Sequence, residues 1–137
     1  MYPTRSEMDD FFESLGRRWA LDTSVKENSV EYQLTKGQRR VVFRWDSHWP
    51  EEMWFVFGSD GRWEFEDWTE MSAPEEKSIH FEYLESLAER YLESTTRLRR
   101  RWRLFGAHIL QYQRQGSWHD MRKAIQQPDP PSTDPKR

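Results

Sequence analysis

Residues 46–76 combine acidic and aromatic side chains at high density. This stretch holds ten carboxylates, four of the eight tryptophans and a single basic residue, Arg62, so its formal charge is −9 while the rest of the chain carries +6. Indole rings are frequent anchors of protein interfaces, and charges around them steer a partner and set specificity. The pattern predicts a surface that binds a basic protein, and we expect these contact residues: Trp54, Glu64, Glu66, Asp67 and Trp68, with Glu51 and Glu52 at the rim.

Paired carboxylates can also act as acid and base in a hydrolytic reaction. That chemistry requires two carboxylates in one cleft, one of them with a raised pKa. Most acids of this stretch fall in predicted loops or on a predicted uncovered sheet face, where water keeps carboxylates ionised. The chain also has no P-loop, no GxGxxG and no GxSxG motif. We therefore expect no catalytic residue and no cofactor, and the protein is not predicted to be an enzyme.

Metal coordination would have to come from histidines and carboxylates, because the chain has no cysteine. The absence of cysteine also removes disulfides and thiol nucleophiles. The four histidines do not cluster, and neither an HExxH motif nor an EF-hand loop occurs. A zinc site requires three or four convergent ligands. We expect no metal site.

A run of arginines is the candidate for nucleic-acid binding, since basic side chains on one element can neutralise phosphates. The run consists of Arg97, Arg99, Arg100, Arg101 and Arg103. If the segment is helical, these side chains are spread around the helix, and the whole protein has a net charge of −3. Nucleic-acid binding is therefore the alternative function, and a solvated helix surface is the simpler explanation.

Length and composition place the chain among small folded proteins. A chain of 137 residues forms about one domain, and a 15% aromatic content supplies large side chains for a core. The N-terminus has no apolar signal segment, and no apolar run reaches the length of a membrane helix. We expect a cytoplasmic protein with no membrane contact, one α+β domain over residues 1–127, and a disordered proline-rich tail over residues 128–137.

The elements that position the acidic stretch begin with a helix and a sheet. Ser6 and Asp9 predict a capped helix over residues 7–19, and residues 22–28 read as a loop. Alternating apolar residues then predict a four-stranded antiparallel meander. A Lys36-Gly37 turn would set Tyr32 opposite Val41. A three-residue turn over residues 59–61 would set Phe57 opposite Trp63, leaving a partly open face that consists of Trp54, Val56, Glu64 and Glu66.

A long helix is predicted to follow, capped by Ser72 and Glu75 and ending near Gly116. Its heptad-like stripe consists of Leu84, Leu87, Tyr91, Thr95, Leu98, Trp102, Phe105, Ile109 and Tyr112. Residues 118–127 form a short last helix in this interpretation. The core between sheet and helix would contain Phe43, Phe55, Phe65, Leu87 and Leu98.

The predicted stripe is longer than one small sheet can cover, which favours an antiparallel homodimer through the long helix. In such a pair, opposite charges would set the orientation. The acids that would face the partner's arginine run are Glu82, Glu85, Glu89 and Glu93.

In its length, helix–meander–helix layout, lack of cysteine and acidic aromatic face, the chain resembles the small cytosolic immunity proteins that neutralise bacterial toxins. It is similar in the same way to phage-type inhibitors and secretion chaperones. The resemblance covers general layout. It implies a non-catalytic binding module whose basic partner is a toxin or effector.

Overall fold

The computed structural model describes residues 1–100 and 108–122. It shows an α+β architecture with an N-terminal helix, a five-stranded antiparallel sheet, a longer second helix and a three-stranded sheet. The elements are α1 (Arg5–Leu15), β1 (Ala20–Lys26), β2 (Ser29–Lys36), β3 (Arg39–Asp46), β4 (Glu52–Ser59), β5 (Arg62–Glu70), α2 (Lys77–Glu93), β6 (Thr96–Arg100), β7 (His108–Arg114) and β8 (Ser117–Asp120).

Helix α1 begins with a capping box formed by Thr4 and Glu7. The Thr4 hydroxyl accepts a hydrogen bond from the Glu7 amide (3.2 Å), and the Glu7 carboxylate accepts one from the Thr4 amide (3.0 Å). The predicted cap at Ser6 and Asp9 is therefore wrong, because the longer glutamate side chain reaches back to the cap amide. The helix ends at Leu15 rather than at residue 19, with Gly16 at its C-cap.

The first sheet is a meander in which each strand pairs with its neighbour in sequence, in the order β1 to β5. The prediction of four strands is wrong, because residues 22–28 belong largely to a fifth strand, β1. The register of β2 and β3 also differs from the prediction by two residues, since Tyr32 lies opposite Phe43. The turn is Gly37-Gln38, and Gly37 has a φ of +61° that favours glycine.

Strands β4 and β5 are joined by a two-residue turn, Asp60-Gly61, in which both residues have positive φ (+54° and +78°). This geometry is typical of a type I′ hairpin. The register shifts after Phe57, so that Phe57 lies opposite Phe65 and Gly58 lies opposite Trp63. Glu64 is consequently an extra, bulged residue of β5. The predicted pairing of Phe57 with Trp63 is wrong.

Both helices pack on one face of this sheet. The ring of Phe12 in α1 stacks on the ring of Tyr32, with 4.1 Å between the ring centroids. The ring of Tyr91 in α2 stacks on the ring of Phe57, with 4.8 Å between the centroids. Three of the predicted core residues, Phe43, Phe55 and Leu87, are buried as expected, and Phe65 is partly buried against them. Leu98 is 45% exposed, so its predicted burial is wrong.

Helix α2 stops at Glu93, where Ser94 takes an extended conformation. The prediction of a helix reaching Gly116 is therefore wrong. The Arg39 guanidinium donates to the carbonyls of Tyr91 (2.6 Å) and Ser94 (3.0 Å), which satisfies groups that the helix end leaves free. At the other end, the predicted cap by Ser72 and Glu75 is wrong, because α2 begins at Lys77 without a side-chain cap and the Ser72 amide donates to Glu76 (2.8 Å).

Strands β6, β7 and β8 form a separate sheet where the long helix was predicted. Gly116, expected to end a helix, has positive φ in the turn between β7 and β8. The predicted last helix over residues 118–127 is wrong at its start, because strand β8 extends to Asp120. Its residues from 123 onwards and the predicted tail over residues 128–137 lie outside the described residues. The second sheet is tied to α2 by buried Arg90, which donates to the Met121 carbonyl (2.7 Å).

The predicted antiparallel homodimer depended on a helix that continues to Gly116, whereas α2 ends at Glu93. Leu84, Leu87 and Tyr91 of the stripe are buried inside the protomer, and the stripe residues after Ser94 that the structure describes lie in strands or the segments leading into them. Neither the buried residues nor the strand residues of the stripe are therefore available to form a helical seam with a second copy.

Candidate functional site

The five-stranded sheet has a second face that no described element covers. Side chains alternate along a strand, so the residues between the core positions of β2 to β5 point away from both helices. We call this the open face; it consists of Glu31, Gln33, Arg40, Val42, Arg44, Trp54, Val56, Trp63, Glu66 and Trp68. Two strands of the predicted binding stretch, β4 and β5, supply half of these residues.

Two tryptophans lie side by side on the open face. Trp54 of β4 is directly opposite Trp68 of β5, and their ring centroids are 6.1 Å apart. The two residues are 40% and 41% exposed. Cross-strand aromatic pairs of this kind stabilise a sheet and present a large apolar area at one position. The structure thus brings together two of the predicted contact residues, and Glu66 lies on the same face opposite Val56.

Glu64 does not lie with Glu66, contrary to the prediction that both are on the open face. The bulge turns it towards α2, where the Tyr91 hydroxyl donates a hydrogen bond to its carboxylate at 2.5 Å. Burial of Tyr91, together with this acceptor, raises the pKa of the phenol. Glu64 therefore helps to hold α2 against the sheet edge, and it is not part of the open face.

Asp67 also points to the helix side of the sheet, since it lies opposite the buried Phe55. Its carboxylate is 3.3 Å from the Arg122 guanidinium. The same guanidinium lies over the Phe55 ring and donates to the Trp68 carbonyl at 3.2 Å. Asp67 thus links β5 to the chain that follows β8. It does not lie with Trp54 and Trp68 on the open face.

Glu51 and Glu52, predicted as rim residues, lie at the start of β4. Glu51 accepts a backbone hydrogen bond from Met71 at 3.0 Å. Glu52 lines a groove of about 440 Å³ at this end of the open face. The complete lining is Ser29, Arg44, Asp46, Trp49, Glu52 and Trp54.

The sequence did not indicate that arginines belong to this face. Arg40 lies over the Trp63 ring at 4.0 Å, and Arg44 lies 6.0 Å from the centroid of the Trp54 ring. The signal was present in β3, where Arg40, Val42 and Arg44 alternate with the buried residues Val41, Phe43 and Trp45. The centre of the open face is consequently mixed in charge, and its acids lie around it.

The described part of the arginine run, Arg97 to Arg100, lies on a strand and not on a helix. Arg97 and Arg99 share one face of β6 and are exposed, and Arg100 ends the strand. The Arg97 guanidinium is engaged, because it donates to the Gln111 side chain (2.9 Å) and lies over the Trp118 ring (4.1 Å). Arg101 and Arg103 lie outside the described residues.

Charge is divided between the two sheets. Residues 1–95 contain eleven basic and 21 acidic residues, a net charge of −10, whereas residues 96–122 contain seven arginines and one acid, a net charge of +6. The acidic part carries the open face and both helices, and the described strands of the basic part form the second sheet.

Over residues 1–100 and 108–122, no three histidine or acidic side chains converge in a way that could hold a metal ion. No described helix is both long and apolar enough to cross a membrane.

No family model, curated protein or solved structure matches this chain.

Proposed function

We propose that the protein is a non-catalytic binding module that uses its open face to bind a basic protein. One observation carries the proposal: Trp54 and Trp68 form an exposed aromatic pair, 6.1 Å apart, on a sheet face that no described element covers. Keeping two large indoles in water lowers solubility, and a partner that covers them gains the energy of their burial.

The charge around this pair supports a basic partner. Glu66 flanks it on β5, Glu52 and Asp46 lie at one end of the face, and the first 95 residues carry a net charge of −10. Acidic rims of this kind accelerate association with a positive surface. Arg44, beside Trp54, would donate hydrogen bonds to a carbonyl or carboxylate of the same partner.

Small immunity proteins, inhibitors and secretion chaperones act in this way, as stoichiometric binders of a toxin or effector. We place this protein in that functional class, in the cytoplasm, on the basis of its small α+β fold and its acidic aromatic surface. Its partner is then a protein with an exposed basic patch.

The first prediction tests the aromatic pair. The partner is isolated by affinity capture, identified, purified, and its affinity measured by calorimetry. Trp54→Ala should weaken binding by about 2 kcal/mol or more, because it removes a central aromatic anchor. Glu66→Lys should mainly slow association and reduce its salt dependence.

Matched controls separate this face from the rest of the acidic surface. Glu75→Lys makes the same charge change at an exposed position away from the open face, and it should leave the affinity nearly unchanged. If Arg99→Glu abolishes capture while Trp54→Ala and Glu66→Lys leave it intact, the binding surface is the second sheet and the proposal is wrong.

A second candidate function is nucleic-acid binding by the second sheet. The observation that favours it is the placement of Arg97 and Arg99 on one face of β6, together with the net charge of +6 over residues 96–122. Two-stranded ribbons can enter the major groove of DNA. The engagement of Arg97 with Gln111 and Trp118 counts against it.

A salt titration decides between these functions. We expect a DNA duplex to bind weakly and to be released at physiological salt, because Arg97 is already engaged by Gln111 and Trp118. Each phosphate neutralised should contribute about −0.9 to the slope of log K against log salt. Tight binding at physiological salt that Arg99→Glu destroys would instead establish the second function.

A further inference from the structure

The chain repeatedly pairs its own indole rings with arginine. Three tryptophans each carry a guanidinium 4.0–4.2 Å from the ring centroid: Trp19 under Arg18, Trp63 under Arg40 and Trp118 under Arg97. A planar guanidinium stacks well on an indole, because the ring face is negative and the cation is weakly hydrated. Arginine on indole is thus a favourable arrangement in this molecule.

Two indoles at the groove lack such a partner. Trp49 is 58% exposed, the most exposed of the described tryptophans, and no arginine of the described chain lies over its ring. Trp54 has only Arg44, at the long distance of 6.0 Å. Both rings line the same groove of about 440 Å³, which is large enough for a side chain to enter.

Carboxylates complete the groove. Glu52 and Asp46 line it beside the two indoles, and Glu52 has no ion pair among the described residues. Asp46 contacts His48, whose amide and ring nitrogen lie 2.8 and 3.2 Å from one carboxylate oxygen, so its second oxygen is available. A guanidinium donates to carboxylates in a forked geometry that a single ammonium cannot match.

The turn that carries Trp49 is held in place before any ligand arrives. The Trp49 amide donates to the Asp46 carbonyl and its carbonyl accepts from the Glu52 amide, both at 3.0 Å. The buried Trp45 indole donates to the Pro50 carbonyl at 3.3 Å. An exposed aromatic ring on a fixed turn loses little entropy on binding.

We propose that this groove is the receptor for a single arginine side chain of the partner protein, stacked on Trp49 and Trp54 and bonded to Glu52 and Asp46. The inference rests on the proposed function and specifies its anchor. Arg44 lines the same groove and would repel the incoming cation. The groove therefore selects a partner arginine that has a hydrogen-bond acceptor beside it, such as a backbone carbonyl, to which Arg44 can donate.

The test uses the peptides acetyl-Gly-Arg-Gly-amide and acetyl-Gly-citrulline-Gly-amide, which have the same shape but differ in charge. Binding to the full chain is followed by NMR through the indole N–H signals. The arginine peptide should shift the Trp49 and Trp54 signals at millimolar concentration, and the citrulline peptide should not. Trp49→Ala should weaken binding about tenfold or more. Glu52→Gln, which preserves the shape of the side chain, should weaken binding too.

Trp63→Ala is the matched control, because Trp63 is half exposed on the same sheet but already lies under Arg40. The Trp63→Ala variant should bind the arginine peptide with the same affinity as the unmodified protein. Equal shifts from both peptides, no shift from either, or unchanged binding by Glu52→Gln would overturn the inference. The proposed function fails separately: it fails if Trp54→Ala leaves partner binding intact. If Trp54→Ala weakens partner binding and Trp49→Ala does not, the open face binds the partner and the arginine receptor is wrong.

Discussion

Leu87→Ala is expected to lower the free energy of unfolding by about 2–5 kcal/mol, whereas Leu98→Ala should change it by less than about 0.5 kcal/mol. Leu87 is fully buried between α2 and the sheet, so truncation leaves a cavity there. Leu98 lies on β6 and is 45% exposed. The two leucines belong to one helical stripe in the sequence, so the pair is a matched test of where α2 ends.

Urea denaturation monitored by tryptophan fluorescence measures both variants. Similar losses for the two leucines would mean that the chain after Glu93 is packed like the helix before it. The unequal losses expected here would support the change from helix to strand at Ser94.

Acidification is expected to destabilise the protein through His80. This residue is buried on α2, and neither ring nitrogen has a hydrogen-bond partner among the described residues. Burial away from water lowers the pKa of His80 from 6.5 to about 4, against the opposing field of Glu76. Because the unfolded chain takes up this proton below pH 6.5 and the folded chain does not, stability falls as the pH falls from 6.5 towards 4.

The magnitude follows from the difference between the two pKa values. Between pH 7 and pH 5 the loss should be about 2 kcal/mol. The carboxylates of Glu7 and Glu93, whose pKa values are lowered by hydrogen bonds from Lys77 and Lys36, contribute stability that disappears only below pH 4.5. The interval from pH 5 to pH 6.5 therefore isolates the histidine.

His80→Leu should remove this pH dependence, and it also removes a buried polar group that has no partner. His119→Leu, at an exposed histidine, is the control and should preserve the slope. Urea midpoints measured between pH 5 and pH 7 decide the matter. An unchanged slope in His80→Leu would show that another group titrates in this interval.

The alternation of apolar residues predicted the core face of the first sheet correctly, although both predicted registers were wrong. Moving the pairing of β2 and β3 by two residues keeps Tyr32 and Phe43 on the same face, because side chains alternate with a period of two. Strand β1 gave no such signal. It is an edge strand in which only Leu21 is even partly buried, so no apolar pattern marks it.

The bulge at Glu64 determined how much of the site could be predicted. A one-residue insertion changes which residues of a strand point to each face of the sheet. Here it placed Trp63 on the open face and turned Glu64 towards Tyr91. Alternation correctly predicted that Trp54 and Glu66 lie on the open face. The contact between Asp67 and Arg122 was not predicted, because the two residues are more than fifty positions apart in the sequence.

The long helix was predicted because spacings of three and four continued through Leu98, Ile109 and Tyr112. The contrary signal was local. Thr95 and Thr96 follow Ser94, and β-branched residues favour strands. Arg97, Leu98 and Arg99 then alternate polar and apolar side chains, which fits a strand as well as the stripe fits a helix.

The meander order of both sheets also bears on how quickly the chain can fold. Each strand pairs only with its neighbour in sequence, so every ladder closes a short loop at small entropic cost. The described hydrogen bonds between residues farthest apart in the sequence involve α2. Lys77 donates to Glu7, 70 residues away, and Glu93 accepts from the Trp19 indole, 74 residues away. Rates of folding fall as contacts become more distant in sequence. The hairpins are therefore expected to form early, and the closing of α2 onto the sheet sets the height of the folding barrier.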